Sequence, residues 1–291
     1  MKNLLKKSIV GAAIALAYSS GAFADATLSN GSITAVINDG GSFGVAPVYA
    51  GGTPGLSYNG VEFVNIDNPS SWWTLRSDDN SFNLTSQYNS NPLGSTTFQV
   101  GPQASTTLAF GGLSFVQTAA LTAANQISYL VSFTNGGSAL THLKYGVGID
   151  PDQGGSGKNT TFNKILGQGT GASVSAADTL YSSHLKVTLA NTTTAFPSAI
   201  AAYINTASCC AVVAPSSALG SPEAVGFNTL ADHSISLAYD IGSIGTGQTV
   251  SLGYSYTFAP IPEPETYAML LAGLGLMGVV ARRRKQQSGA V

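Results

Sequence analysis

The stretch TVSLGYSYTF, residues 249–258, alternates apolar residues with small or polar ones along its whole length. An apolar side chain stands at every second position from Val250 to Phe258, and Ser, Thr or Gly fills the positions between them. Because successive side chains of a β-strand point to opposite faces, this alternation predicts a strand with one face against a core.

Shorter runs of the same kind precede this stretch and are separated by turn-forming residues. Asn59-Gly60 lies between Leu56–Tyr58 and Val61–Val64, and this dipeptide is a strong hairpin signal because both residues tolerate positive φ. The other predicted strands are Ser32–Ile37, Leu113–Leu121, Gln126–Phe133, Leu143–Ile149, His184–Leu189, Ile200–Ile204 and Ser234–Tyr239. We predict an all-β fold, an antiparallel β-sandwich of two sheets.

The composition agrees with an all-β fold and argues against one class of function, nucleic-acid binding. Only 9% of the 291 residues are charged, whereas helical surfaces usually carry many Glu, Lys and Arg. Residues 25–261 hold five basic and twelve acidic residues, a net charge of −7. This part of the chain has no basic patch to neutralise phosphates, which argues against nucleic-acid binding.

The first 24 residues have the pattern of a secretory signal peptide. Lys2, Lys6 and Lys7 precede an apolar run, and Ala22-Phe23-Ala24 offers a small-x-small cleavage site before Asp25. We predict cleavage between Ala24 and Asp25, after export through the Sec machinery.

The C-terminal end has a second ordered pattern. Pro262-Glu263-Pro264 precedes fifteen uncharged residues, Tyr267–Ala281, and a basic cluster at Arg282, Arg283, Arg284 and Lys285 follows. At 1.5 Å per residue the uncharged helix would cover roughly 22 Å of a ~30 Å hydrocarbon core, so we expect a short and marginal transmembrane helix. Basic flanks stay on the cytoplasmic side, so the preceding residues would face outward.

The order of these three parts resembles the PEP-CTERM sorting signal of Gram-negative bacteria. The resemblance implies recognition by an exosortase, a membrane protease that cuts near Pro-Glu-Pro, and transient anchoring in the inner membrane. It also implies delivery to the cell surface or to an extracellular, exopolysaccharide-rich biofilm matrix. The chain is thus predicted to comprise a signal peptide (1–24), an exported β-sandwich domain (25–260) and a sorting and anchor segment (261–291).

Asp150 and Asp152, in the stretch DPDQGG at 150–155, are the candidate metal ligands. Carboxylates two residues apart in a turn can bind one calcium ion, and the glycines let the chain wrap around it. Gly154 and Thr161, however, stand where a calcium loop has Asp or Asn and the bidentate Glu. An Asx turn at a strand end explains the same residues, and we favour it. No other cofactor is expected.

Trp72 and Trp73 are the candidate glycan contacts, since an exposed aromatic face can stack on a sugar ring. Neighbouring residues of a strand point to opposite faces, so at least one indole should lie in the core, and burial of both is the favoured alternative. Carbohydrate binding in the matrix is therefore the second functional hypothesis.

Cys209 and Cys210 are the two cysteines of the chain, and they are adjacent. Neighbouring Cα atoms lie ~3.8 Å apart, below the usual ~4.4–6.8 Å of a disulfide. We expect free or partly buried thiols, with a vicinal disulfide or an intermolecular link as alternatives.

No catalytic constellation stands out in the exported domain. It holds two glutamates, Glu62 and Glu223, and three histidines, and it lacks a nucleophile elbow or a zinc-protease motif. A secreted hydrolase would need two carboxylates such as Glu62 and Asp150 in one cleft. We therefore expect a non-enzymatic surface or matrix protein.

Overall fold

The computed structural model describes residues 25–44, 55–64, 70–78, 83–87, 94–153, 159–181, 183–194, 199–261 and 271–278. In chain order its strands are β1 (Ala26–Ser29), β2 (Ile33–Ile37), β3 (Leu56–Tyr58), β4 (Val61–Glu62), β5 (Ser71–Ser77), β6 (Asn83–Gln87), β7 (Thr96–Val100), β8 (Gln103–Phe110), β9 (Leu113–Ala123), β10 (Gln126–Asn135), β11 (Leu140–Ile149), β12 (Thr161–Gly167), β13 (Ser173–Ala177), β14 (Leu185–Asn191), β15 (Ile200–Asn205), β16 (Asn228–Ala231), β17 (Ser234–Ile244) and β18 (Thr249–Pro260). A short helix, α1, spans Pro215–Gly220, a 3-10 turn spans Gly169–Gly171, and residues 271–278 are helical.

All pairs among these described strands are antiparallel, and the strands form three sheets. The first has nine strands in the order β16-β12-β13-β14-β18-β10-β9-β8-β7. The second has five strands in the order β15-β17-β11-β5-β6, and the third has four in the order β1-β2-β3-β4. The all-β prediction is confirmed, and the four-stranded sheet is an addition to the two sheets expected from the sequence.

Strand β18, which contains the TVSLGYSYTF stretch, lies in the interior of the nine-stranded sheet between β14 and β10. The apolar row from Leu252 to Phe258 is buried, as its alternation predicts, while Val250 near the strand end is half-buried. Tyr254 stacks on Tyr129 of β10 with ring centroids 4.8 Å apart. Aromatic pairs of this kind stabilise a sheet beyond the area that they bury.

The core lies between the nine-stranded and five-stranded sheets and is rich in aromatic rings. Trp73 of β5 stacks on Phe115 of β9 at 4.6 Å, and Phe133 of β10 meets Tyr145 of β11 at 5.7 Å. The Tyr145 hydroxyl donates to Gln117 Oε1 at 3.0 Å, so its polar end is satisfied inside the core. Burial of an aromatic side chain with its hydroxyl bonded is what a stable core requires.

The four-stranded sheet packs its apolar residues into the same core as the other two sheets, and Tyr58 of β3 stacks on Phe258 of β18 with ring centroids 5.3 Å apart. Its predicted hairpin is present, with Asn59 at φ 50° and Gly60 at φ 79°. Trp73 Nε1 donates to the Gly40 carbonyl at 2.6 Å, just beyond the end of β2. Because β3 and β4 have three and two residues, their sequence alone gave little sign of a separate sheet.

The sorting segment begins where the sandwich ends. The last residue of β18 is Pro260, and residues 271–278 form an exposed helix that leaves Leu271, Leu276 and Met277 between 63% and 68% accessible. Within the described part of the chain, no helix combines the length and the apolar character needed to cross a bilayer. The predicted signal peptide, the Pro262-Glu263-Pro264 element and the basic cluster lie outside the described residues.

Candidate metal centre

Both predicted metal ligands follow directly from the end of β11. Asp150 comes after Ile149, and its backbone N–H donates to the Ser70 carbonyl at 2.8 Å. The backbone N–H of Asp152 donates to the Phe63 carbonyl at 3.0 Å. These bonds hold the turn against the start of β5 and the end of the β3–β4 hairpin.

The fold brings a third carboxylate, Asp232, to this turn. It lies in the connection from β16 to β17, and β17 pairs with β11 so that Ile235 is opposite Ile149. One ligand oxygen each from Asp150, Asp152 and Asp232 lie within 4.8 Å of one another. Asp232 was not predicted from the sequence, because only the pairing of β11 with β17 places it beside the DPDQGG stretch.

The cluster is shielded from solvent. Asp150 is 4% exposed and Asp152 is 5% exposed, whereas Asp232 is half-buried. Asp150 Oδ1 and Asp232 Oδ1 are inaccessible, and neither accepts a hydrogen bond from the described residues. The other oxygen of Asp232 accepts a bond from Asn159 Nδ2. An ionised carboxylate oxygen that is buried without a partner is costly, so this site favours either a proton or a cation.

Electrostatics in the cluster favour the protonated acid in the absence of a cation. Burial, and then the negative charges of Asp152 and Asp232, raise the pKa of Asp150 to about 9. Burial also raises the pKa of Asp232, opposed by the neighbouring His233 and by the bond from Asn159. Burial is the largest cause at both acids, and at Asp150 the negative charges of Asp152 and Asp232 add to it, because like charges that share a buried site disfavour one another's ionisation.

A vicinal disulfide lies on the other side of Asp150. Cys209 and Cys210 are bonded to each other, with Cα atoms 3.8 Å apart, so the expectation of free thiols was wrong. Cys210 Sγ lies 3.1 Å from Asp150 Oδ2. A disulfide sulfur carries no proton, so in this contact the Cys210 sulfur can act only as a weak acceptor. Gln87 Nε2 donates to the Cys210 carbonyl at 2.5 Å and fixes the loop.

The two tryptophans cannot serve as glycan platforms in this fold. Trp73 is 1% exposed and faces the core, and Trp72 is 2% exposed on the opposite face. Residues of α1 and its approach cover Trp72, which packs with Val213 and Ala218. Stacking on a sugar requires an exposed ring, and the packing of α1 and its approach against Trp72 leaves that ring buried.

The carboxylate named for a hydrolase, Glu62, has a structural role. Its Oε1 accepts the backbone N–H groups of Gly55 at 3.0 Å, Leu56 at 2.8 Å and Val64 at 3.3 Å. Burial raises the pKa of Glu62 to about 7, although the backbone N–H bonds favour the charged form and oppose this rise. It therefore closes the β3–β4 hairpin from inside.

A groove of about 400 Å³ lies on the outer face of the nine-stranded sheet, over β7, β8 and β9. Thr96, Thr107 and Ser114 line it together with Gly94, Leu108, Ala109 and Val116. No titratable side chain is among these residues, so the groove offers hydroxyl groups and apolar surface but no acid or base.

Comparison with known proteins identifies the C-terminal segment. Residues 260–285 match the family model of the PEP-CTERM protein-sorting motif. This C-terminal segment therefore carries a PEP-CTERM sorting motif, which supports export, a membrane-anchored sorting signal and processing by an exosortase. No curated protein matches the chain in sequence.

Several solved structures resemble the chain at low similarity. A bacterial glucoamylase complexed with acarbose is 10% identical with a TM-score of 0.49, covering 88% of this chain and 36% of its own. A galactose mutarotase-like protein from Lactobacillus casei is 10% identical with a TM-score of 0.46, covering 81% of this chain and all of its own. A polysaccharide lyase is 12% identical with a TM-score of 0.38, covering 84% of this chain and 33% of its own. Likeness at this level says nothing of what the chain binds or does.

Proposed function

We propose that this protein is a non-catalytic β-sandwich component of the cell surface or extracellular matrix, released there by an exosortase. The observation that carries the proposal is the position of the sorting motif. The matched segment starts at residue 260, which is the last residue of β18. Its Pro262-Glu263-Pro264 element therefore lies after the end of the final strand. Cleavage near Pro262 would leave all the described strands in the released body.

The outer face of the nine-stranded sheet suits a neutral, hydrated polysaccharide as partner. Pairs of hydroxyl side chains face each other across neighbouring strands, with Ser132 and Ser251 joined at 2.8 Å and Thr134 and Thr249 at 2.8 Å. Further pairs are Thr96 with Thr107 and Ser105 with Thr118, each at 3.1 Å. Hydroxyl groups donate and accept, so such a face can exchange hydrogen bonds with sugar hydroxyls.

Fractionation of the native host tests the delivery step. Wild-type protein is expected in the matrix fraction without its tail, whereas a chain with Pro262, Glu263 and Pro264 changed to Ala should stay uncleaved in the membrane fraction. A chain with Gln286→Ala and Gln287→Ala is the matched control and should behave as wild type. Equal amounts of the Pro-Glu-Pro variant and wild type in the matrix would overturn the proposal.

A second experiment tests the absence of catalysis. The purified protein is incubated with exopolysaccharide from its own host, and the polymer length is followed by size-exclusion chromatography. The expected result is an unchanged polymer. Shortening that is lost in an Asp150→Asn or Glu62→Gln variant would instead support the hydrolase hypothesis.

A further inference from the structure

We propose that Asp150, Asp152 and Asp232 bind one calcium ion, which ties the end of β11 to the connection between β16 and β17. This site does not depend on the proposed matrix function. The residues come from two distant parts of the chain, and the fold alone unites them.

An unpartnered buried oxygen points to a ligand at this cluster. Asp150 is 96% shielded, its Oδ1 accepts no hydrogen bond from the described residues, and one of its two oxygens lies within 4.8 Å of an oxygen of each of the other two carboxylates. Buried polar atoms are nearly always bonded, and exceptions call for an explanation such as an ion. A cation supplies the missing partner for Asp150 and also neutralises the mutual repulsion of the three acids.

The chemistry of the donors selects the type of cation. Calcium binds six to eight oxygen ligands at roughly 2.3–2.6 Å, so two ligands on opposite sides of one ion are about 5 Å apart. The ligand oxygens here lie within 4.8 Å of one another, which places all three within reach of a single calcium ion. Magnesium gives up its water reluctantly and is less suited to a shielded site.

The disulfide removes the competing set of ligands. Asp150, Cys209 and Cys210 also have ligand atoms within 4.8 Å of one another, an arrangement that could bind a soft metal through thiolates. Because the two sulfurs are bonded to each other, neither is a thiolate. The oxidised protein therefore offers oxygen ligands from carboxylates at this position.

The site departs from a continuous calcium loop in an informative way. The DPDQGG stretch lacks the later acidic positions of such a loop, and Asp232 supplies a carboxylate from outside it. Strand β16 belongs to the nine-stranded sheet, whereas β11 and β17 belong to the five-stranded one. A bound ion would therefore fix the connection from β16 to β17, where the chain passes from the nine-stranded to the five-stranded sheet, against the end of β11.

Calorimetric titration of the full-length chain with CaCl₂, after treatment with EDTA, tests this proposal. We expect one ion per chain with a dissociation constant between about 10⁻⁵ and 10⁻³ M, from the weak end of sensor sites to extracellular calcium sites. At a hundredfold excess of calcium over this constant, the melting temperature should rise by about 5–10 °C. MgCl₂ at the same concentration should give a clearly smaller rise.

Two variants and one control separate binding from folding. Asp232→Asn should lose at least tenfold in affinity. Asp150→Asn should lose the calcium effect yet melt in EDTA at or above the wild-type temperature, because it removes a buried acid and keeps the side-chain shape. Asp240→Asn is the control, since its amide oxygen still accepts the 2.9 Å bond from Gly242 N, and it should bind as wild type. No heat and no thermal shift with calcium, an unchanged affinity in Asp232→Asn, or equal stabilisation by magnesium would overturn the proposal.

Discussion

Replacing Glu62 by Gln should change how the stability of the sandwich depends on pH. Glu62 closes the β3–β4 hairpin through three backbone N–H bonds to Oε1, while Oε2 is buried and accepts no hydrogen bond from the described residues. Burial outweighs the bonds that favour the charged form and raises the pKa of Glu62 from 4.5 to about 7. Gln keeps the acceptor at Oε1 but cannot ionise.

The magnitude follows from proton linkage. Each pKa unit is worth about 1.4 kcal/mol, so a rise from 4.5 to about 7 corresponds to about 3 kcal/mol. The folded state holds the proton more tightly than the unfolded state, so the free energy of unfolding falls as the pH rises through this interval. Above about pH 7 both states are ionised at Glu62, and its contribution becomes constant.

Urea unfolding of wild type and Glu62→Gln at several pH values between about 4.5 and 8.5 measures this effect. Wild type should lose about 3 kcal/mol more than the variant over the interval, as an upper estimate. Other acids titrate equally in both proteins, so the difference between them isolates Glu62. Parallel pH profiles would refute the reasoning and show that Glu62 is ionised in the fold at little cost.

Three further predictions concern the core and the tail. Trp73→Phe should lower the free energy of unfolding by about 2–3 kcal/mol, because it leaves the Gly40 carbonyl unpaired. Trp72→Phe should cost about 1 kcal/mol less, since the Trp72 Nε1 has no partner among the described residues. Thermal melts compare the two variants. Gly148→Ala should cost about 1–3 kcal/mol of stability, because the new Cβ would lie 2.4 Å from the Trp72 ring and 2.8 Å from the Ile235 carbonyl. Gly171→Ala is the control and should be nearly neutral in the same thermal melts, because there is open space around Gly171. Deletion of residues 262–291 should leave a soluble β-protein that melts cooperatively by circular dichroism, because β18 ends at Pro260 and the 271–278 helix is exposed. Aggregation of the shortened chain that does not occur when residues 262–291 are present would contradict this prediction.

The sequence patterns predicted ten of the eighteen described strands, whereas eight were not predicted: β1, β5, β6, β7, β8, β12, β13 and β16. TVSLGYSYTF lies within β18, and Asn59-Gly60 forms the expected hairpin turn. A period of two is a local property of the chain, so it can be read without knowing which strands pair. The partition into nine-, five- and four-stranded sheets depends on long-range pairing, and very short strands such as β4 carry little pattern of their own.

The candidate site was predictable only in part, for the same reason. Asp150 and Asp152 are neighbours in sequence and were recognised from their spacing, whereas Asp232 joins them through the pairing of β17 with β11. The burial of Trp72 depends on α1, a helix of six residues whose sequence gives a weak signal. The vicinal disulfide was one of three open alternatives, because spacing alone cannot decide whether adjacent cysteines are oxidised.

Intact-mass analysis of the protein purified from its native host tests the central claim, that this is an exported protein processed at its sorting signal. The account predicts a chain that begins at Asp25 and ends near Pro262–Pro264, without Arg282, Arg283, Arg284 and Lys285. Recovery of a chain that retains Met1 and the basic cluster would contradict it.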